Sequence, residues 1–230
     1  MNTLVDTLVE AGFIRTHEPL SNPLVVHAVA GAGKSSLIRR LLETDATFRA
    51  FTRGPPDPPS LDATAIQAFQ PNPPSHLFNI LDEYPAGEVK GPWAALFADP
   101  LQHRAHPRRP HFIKRCSHRL SASTAALLTS LGIPITGTGQ GNFTSAHGVF
   151  EGPLIGKIIS LDNHISLLLS NHSVPYATPD DVLGQEFPIT TVISALPLHA
   201  VCDKVGLYIA LSRHTSELHV LCPNPPHPTT

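Results

Sequence analysis

One glycine-lysine-serine triplet, set between a β-branched run and a helical run, constrains this chain more than any other feature. It lies in VVHAVAGAGKSSLIRRLL, Val25 to Leu42. Leu24 to Val29 is a compact apolar run of the kind that forms a buried strand. Lys34 to Glu43 has helix-forming composition, with Leu37, Ile38, Leu41 and Leu42 on one stripe. Ala30 to Gly33 is the tight connection between them. A strand turning sharply into a helix aims backbone N–H groups and the positive end of the helix dipole at one point, where an anion is favoured. The phosphate loop of nucleotide triphosphatases reads G-x-x-x-x-G-K-[ST]. Gly33, Lys34 and Ser35 supply its second half, and the place of its first glycine is taken by Ala28. In that reading Gly31, Ala32, Gly33, Lys34, Ser35 and Ser36 cradle the phosphates of ATP. Lys34 reaches the β- and γ-phosphates, and Ser35 holds Mg²⁺. The competing reading is a glycine-rich turn before a core helix.

A second constellation weighs against the turn. Leu77 to Leu81 is another apolar strand, and Asp82-Glu83 follows it directly in NILDEY. The carboxyl ends of parallel strands open onto the ligand crevice of an α/β sheet. Asp82 there would bind Mg²⁺ through its water shell, and Glu83 would polarise an attacking water. Acidic pairs after strands are common loop residues; behind a phosphate loop the pair is specific.

The remaining pattern alternates strands with helices. Residues 3 to 13 place Val5, Leu8, Val9 and Phe13 on one face of a short helix ending near Gly12, and Phe13 to Pro23 reads as a loop. Two proline-rich stretches, GPPDPPS and QPNPPS, flank a short element at Asp62 to Phe69. Further strands are expected at Trp93–Ala98, His111–Lys114, Gly156–Leu161, Ile189–Leu196 and Leu218–Cys222. Helices are expected at Ser121–Leu131, closed by Gly132, and at Asp203–Ser212. The PNPPHPTT tail reads as disordered. Such alternation favours α/β layers around parallel sheets.

The apolar fraction of 41% and charged fraction of 15% belong to a folded chain. Three well-separated cysteines, Cys116, Cys202 and Cys222, fit a reducing compartment better than a disulfide scaffold. No apolar run approaches the ~20 residues that span a bilayer, and Asp6 and Glu10 interrupt any signal-peptide pattern. A soluble protein with no direct membrane insertion is expected.

The motifs fall in a known order. AVAGAGKSS, ILDEY, LFADPLQ with Asp99 and Gln102, CSHRL with Arg119, LGQEFPITTVIS around Glu186 and Phe187, and LYIALSRHTSELHVL with Tyr208, Ser212 and Arg213 follow one another along the chain. In this the chain resembles the superfamily 1 helicases of positive-strand RNA viruses. More narrowly, it is similar to the first proteins of the plant-virus triple gene block, of the potexvirus and carlavirus kind. That family reads A-x-A-G-A-G-K-S at its phosphate loop, so an alanine at position 28 is a family mark. The resemblance implies two small RecA-like α/β lobes, 1–115 and 116–230, with ATP in a cleft between them. It implies that Gln102 senses the γ-phosphate and that Arg119 and Arg213 act as fingers on it. It also implies a viral movement protein of the host plant cytoplasm and plasmodesmata. The implied partners are viral RNA or ribonucleoprotein, two small membrane-bound viral proteins, coat protein or virion, and host silencing components, with a homo-oligomer possible. The short stretch between the second and third motifs argues against processive unwinding, and the long basic N-terminal extension of the hordeivirus-like subgroup is not expected. ATP hydrolysis is either essential to these roles or vestigial in a binding and suppressor protein.

The net charge of −2 hides a local basic run. From Gln102 to Leu120 there is no acid, and Arg104, Arg108, Arg109, Lys114, Arg115 and Arg119 are interleaved with four histidines. Single-stranded RNA could track its backbone there; the alternative is a solvated loop plus one phosphate-sensing arginine. Trp93, Phe97 and Phe112 are the nearest aromatics for base stacking, although packing is the commoner role of such a tryptophan. His103, His106, His111 and His118 fit no standard zinc spacing. His27, inside the first strand, reads as a satisfied core histidine.

Overall fold

The computed structural model describes residues 2–58, 64–75, 77–145 and 148–225, with backbone only at 144 and 145. The chain forms two compact units, Met1–Arg115 and Cys116–Thr230.

The first unit opens with α1 (Asn2–Glu10), which buries Leu4 and Leu8 and stops where Gly12 takes a φ of 77°. Leu8 is buried as expected, but Val9, expected on the same face, is exposed, and Leu4 is turned inward in its place. The segment expected to be a loop contains a short edge strand, β1 (Ile14–Arg15). Then come β2 (Leu24–Ala28), α2 (Lys34–Thr44), β3 (Phe48–Thr52), β4 (Gln67–Ala68), β5 (Phe78–Asp82), β6 (Trp93–Ala98) and β7 (Phe112–Lys114). The short element expected at Asp62–Phe69 is β4; Asp62 and Ala63 lie outside the described residues.

The sheet order is β1-β7-β2-β6-β5-β3-β4. All neighbours are parallel except β1 against β7, so the sheet is mixed at that edge. Every residue of β2 and β6 is buried, which is why both read as unbroken apolar runs. Alternation sorts the side chains by face: Val25, Leu96, Leu81 and Phe51 form one row, completed by Tyr84, Trp93 and Ala98. Strand β3 was not foreseen, since FRAFT is short and its arginine interrupts the apolar run, yet it lies inside the sheet. Trp93, Phe97 and Phe112 are core residues and offer no platform for bases.

Register fixes what the sheet presents. His27 pairs with Ala98, Leu81 with Leu96, and Thr52 with Asp82. The carboxyl ends of β2, β6, β5 and β3 therefore lie at one edge, and the chain delivers Ala28, Asp99, Asp82 and Thr52 there.

The second unit contains β8 (Cys116–Ser117), α3 (Ala122–Ser130), β9 (Thr136–Gly137), β10 (Asn142–Ser145), β11 (Lys157–Ser160), α4 (Asn163–Asn171), β12 (Phe187–Ile193), α5 (Lys204–Leu211) and β13 (His214–Leu221). Its main sheet, β10-β13-β12-β11, is wholly parallel, and β8 pairs with β9. Ser121, Asp162 and Asp203 cap α3, α4 and α5 by accepting backbone N–H bonds. Helix α4 was not expected; NHISLLLSN buries only Ile165 and Leu169 and leaves Leu167 exposed, so its stripe is weak. Gly139 has a steric purpose: a Cβ there would collide with the Arg119 carbonyl. The proline-rich end, expected to be disordered, falls largely on residues 226–230, outside the described residues.

Two histidines make both units acid-sensitive. His27 hydrogen-bonds the Tyr84 hydroxyl at 2.9 Å, and burial, aided by Lys34, pushes it down to about 4. His214 sits 3.2 Å from the Thr124 hydroxyl and is also lowered to about 4, by burial and then by Arg119. The unfolded chain binds protons at these rings near pH 6.5, which the folded chain refuses until about pH 4. Stability is therefore complete above about pH 6.5 and declines as pH falls. Urea titrations should show a loss of about 2 kcal/mol per histidine between pH 7 and pH 5. His27→Gln and His214→Gln should each flatten that slope.

Candidate nucleotide site

The turn after β2 explains why an alanine suffices at position 28. Ala28 is the last residue of the buried strand and has no positive φ; the left-handed positions are Gly31 (φ 72°) and Gly33 (φ 87°). Glycine is needed where the backbone takes that conformation, and Ala28 is not such a place. Gly33 is the N-cap of α2 and offers no side-chain cap. The first N–H groups of a helix have no intrahelical partner, so this end is open to an external acceptor.

Lys34, the first residue of α2, turns its side chain onto the end of β5. Its Nζ lies 2.8 Å from Asp82 Oδ1 and is hydrogen-bonded to Glu83 Oε1. All three side chains are largely buried. Burial alone would lower the Lys34 ammonium, but Asp82 and Glu83 outweigh it and raise it above its ordinary value. Burial raises Asp82, against the pull of Lys34. Burial opposes ionisation of Glu83 too, yet Lys34 and His103 together hold it at about 2. One cation is thus shared by two adjacent carboxylates.

Other residues aim this pair. Glu83 adopts a φ of 51° and a ψ of 41°, a region sparsely used by residues other than glycine and characteristic of constrained functional sites. Its second oxygen, Oε2, lies 2.6 Å from His103 Nε2. Thr52 Oγ1 donates to Asp82 Oδ2 at 3.5 Å. Arg53 donates from Nη1 to the Tyr84 carbonyl at 3.2 Å and stacks 4.3 Å over Phe69, pinning the turn after Glu83. Asp99 accepts from the backbone of Leu101 and, at 2.8 Å, from Gln102 Nε2, fixing the Gln102 amide beside His103.

The donor set fits Mg-nucleotide chemistry. A lone ammonium leaves a deficit of positive charge beside two carboxylates, which a divalent cation would make good. Ser35, Asp82 and the α2 terminus are hard oxygen and N–H groups suited to Mg²⁺ and phosphate.

Arg119 and Arg213 belong to the second unit. Arg119 is ion-paired through Nη1 to Glu186 and donates from Nη2 to the Ser212 carbonyl at 2.7 Å. Arg213 donates to Ser212 Oγ at 3.0 Å and to the Gln185 carbonyl at 3.4 Å. Three sequence motifs are thus linked through Arg119 and Arg213. Among the basic-run residues, Arg104, Arg108, Arg109 and Arg115 are exposed, with Arg109 3.8 Å from Glu18. Lys114 instead donates to the Ala11 carbonyl at 2.9 Å and lies over the Phe13 ring, a structural placement.

The model of the viral superfamily 1 RNA helicase core domain matches residues 24–222. The chain is 46% identical to the "Movement and silencing protein TGBp1" of Papaya mosaic potexvirus, over 100% of this chain and 99% of that protein. It is 47% identical to the protein of that name from Plantago asiatica mosaic potexvirus, over the whole of both. The chain belongs to this family of movement and silencing proteins. Among solved structures it is similar to the arterivirus nonstructural protein 10 helicase in complex with DNA, with a TM-score of 0.60 at 14% identity. That match covers 86% of this chain and 60% of the helicase chain; it supports the RecA-like α/β fold of superfamily 1 helicases and no more.

The sequence reading named Lys34, Ser35, Asp82, Glu83, Asp99 and Gln102, and the fold brings these family residues to one edge of one sheet. It passed over three that hold them. Arg53 follows the unforeseen β3. Tyr84 was counted only as part of ILDEY. His103 was considered only for metal, although its place directly after Gln102 was a signal.

The shared ammonium yields a stability test. Lys34→Met should destabilise the nucleotide-free protein by about 3 kcal/mol, because it strands two buried carboxylates. Adding Glu83→Gln to that variant should recover part of the loss. Carboxyl NMR titration should find Glu83 moved upward from about 2 in Lys34→Met.

Proposed function

We propose that this family member is an Mg-dependent, RNA-responsive ATPase working in viral movement. The observation that carries the reading is the Lys34 ammonium held between Asp82 and Glu83 at the open end of α2. Gly31, Ala32, Gly33, Lys34, Ser35 and Ser36 would surround the phosphates of ATP, and Ser35 and Asp82 would hold Mg²⁺. Mg²⁺ held there would neutralise phosphate charge. Glu83, ionised across the physiological range, accepts the proton of the attacking water. Gln102 senses the γ-phosphate, and Arg119 and Arg213 stabilise its developing charge. Arg104, Arg108, Arg109 and Arg115 form the basic footprint for single-stranded RNA; Lys114 contributes less, being tied to Ala11.

The relatives' name speaks of movement and silencing, and we extend both to this chain. It would act in the host plant cytoplasm, carrying viral RNA or ribonucleoprotein from cell to cell through plasmodesmata and suppressing RNA silencing. Among the described residues no helix is long and apolar enough to cross a membrane. Its partners would be the two small membrane-bound movement proteins of such viruses, coat protein or virion, and host silencing components.

Two measurements decide this reading. Ser35→Ala and Glu83→Gln should each lower ATP turnover by on the order of a hundredfold or more. If cell-to-cell movement and suppression both persist in these variants, the protein acts by binding alone and its ATPase is vestigial. Separately, Arg108→Ala with Arg109→Ala should weaken single-stranded RNA binding. It should also reduce the slope of log affinity against log salt by roughly one to two, as fewer counterions are released. An unchanged salt titration removes the segment from the RNA site.

A further inference from the structure

The basic loop that follows Gln102 is fastened at both ends to the two residues that end ILDEY. At its start, His103 Nε2 lies 2.6 Å from Glu83 Oε2, with both side chains largely shielded from water. Near its far end, the Arg108 backbone N–H donates to the Tyr84 hydroxyl at 2.8 Å, and that hydroxyl also bonds His27 on β2. The loop then closes on His111, which is buried, accepts the Val25 N–H at its Nδ1 at 2.8 Å and meets Ser21 through Nε2. Between these anchors residues 104–109 are exposed. They include Arg104, His106, Arg108 and Arg109, with Pro107 inside the loop and Pro110 closing it. Neither Glu83 nor Tyr84 can change position without disturbing this loop, and a ligand gripping the loop pulls on both.

We propose that His103 is a positioning residue for the Glu83 carboxylate, and that single-stranded RNA bound along residues 104–109 acts on that carboxylate through His103 and Tyr84. The proposal rests on Glu83 being the base of ATP hydrolysis. Lys34 and His103 hold opposite oxygens of Glu83. When Lys34 turns to phosphate, His103 is the contact that keeps the carboxylate aimed. The chemistry recognised at the loop is a flexible chain of phosphates, because guanidinium groups at Arg104, Arg108 and Arg109 are exposed while the nearby aromatic rings are buried and cannot stack bases.

The test measures kcat and KM for ATP, with and without an oligouridylate, in the full chain and in His103→Ala, His103→Gln and Glu83→Gln. His103→Ala should lower kcat on the order of tenfold to a hundredfold, the cost of a misplaced catalytic group. KM should stay within about twofold, since the phosphate loop is untouched. His103→Gln, whose amide can donate to the same oxygen, should recover most of the rate. Stimulation by RNA should vanish in His103→Ala while RNA affinity holds. An unchanged kcat in His103→Ala, or kcat and KM lost together with a lowered melting temperature, overturns the proposal. Full activity in Glu83→Gln would instead overturn the underlying reading, and a wild-type chain without turnover would overturn both. A readout independent of turnover is the ring ¹⁵N signals of His103 in nucleotide-free protein, assigned by their loss in His103→Gln. They should shift when oligouridylate binds. Unshifted signals at saturating RNA, or no RNA binding, overturn the coupling.

Discussion

The ammonium of Lys34 between Asp82 and Glu83 is the contact on which the site depends. Three buried charges occupy a small volume, and two are of the same sign on adjacent residues. In a medium of low effective dielectric such a cluster is tolerated only while its counter-charge is present. This sets a condition on any ligand. An anion that drew Lys34 away by itself would leave the two carboxylates without their shared cation. An anion that arrives with a divalent cation exchanges one positive charge for another and leaves the balance intact. The cluster therefore favours a metal-bound polyphosphate over a bare one, without any side chain recognising the base or sugar.

Sheet topology is what makes this contact possible between residues far apart in sequence. Strands β2 and β5 are separated by β6, and their parallel register brings Ala28, Asp82 and Asp99 to one edge. Helix α2 starts at that edge, so the side chain of its first residue reaches β5 with no intervening loop. The turn after β5 then runs through a left-handed residue that is not glycine. The conformation costs about 1–2 kcal/mol, and it is offset by the contacts Glu83 makes on either side and by the grip of Arg53 on the next peptide. Glycine there would relieve the strain and lose the carboxylate.

Much of the scaffold was legible because it rests on local pattern. The apolar runs of β2 and β6 and the stripe of α2 are set by burial on one or both faces, and burial is what hydrophobic periodicity records. The elements that escaped notice lack that record. Strand β3 carries Arg49 as its second residue and precedes a proline-rich segment. Strand β1 has both residues exposed and exists only because β7 supplies its hydrogen bonds. The same division holds at the site. Lys34, Asp82 and Gln102 sit in motifs whose spacing is itself the signal. Arg53, Tyr84 and His103 act through contacts 20 or more residues away in sequence, and no local pattern encodes such a partner. Lys114 shows the reverse error: its charge suggested RNA, whereas it is held by Ala11 and Phe13, just past the end of α1.

The second unit follows a different electrostatic logic. Arg119 is mostly shielded, with its side chain 12% exposed, while its partner Glu186 is 51% exposed. An ion pair with one member in water contributes at most about 1 kcal/mol. Holding the guanidinium in place is therefore largely the work of the Ser212 carbonyl. A carboxylate that is weakly held can give way to a stronger oxyanion without unfolding anything around it. The first unit buries its charges and must replace them in kind, whereas Arg119 stands oriented by neutral groups and can exchange its anion at little cost.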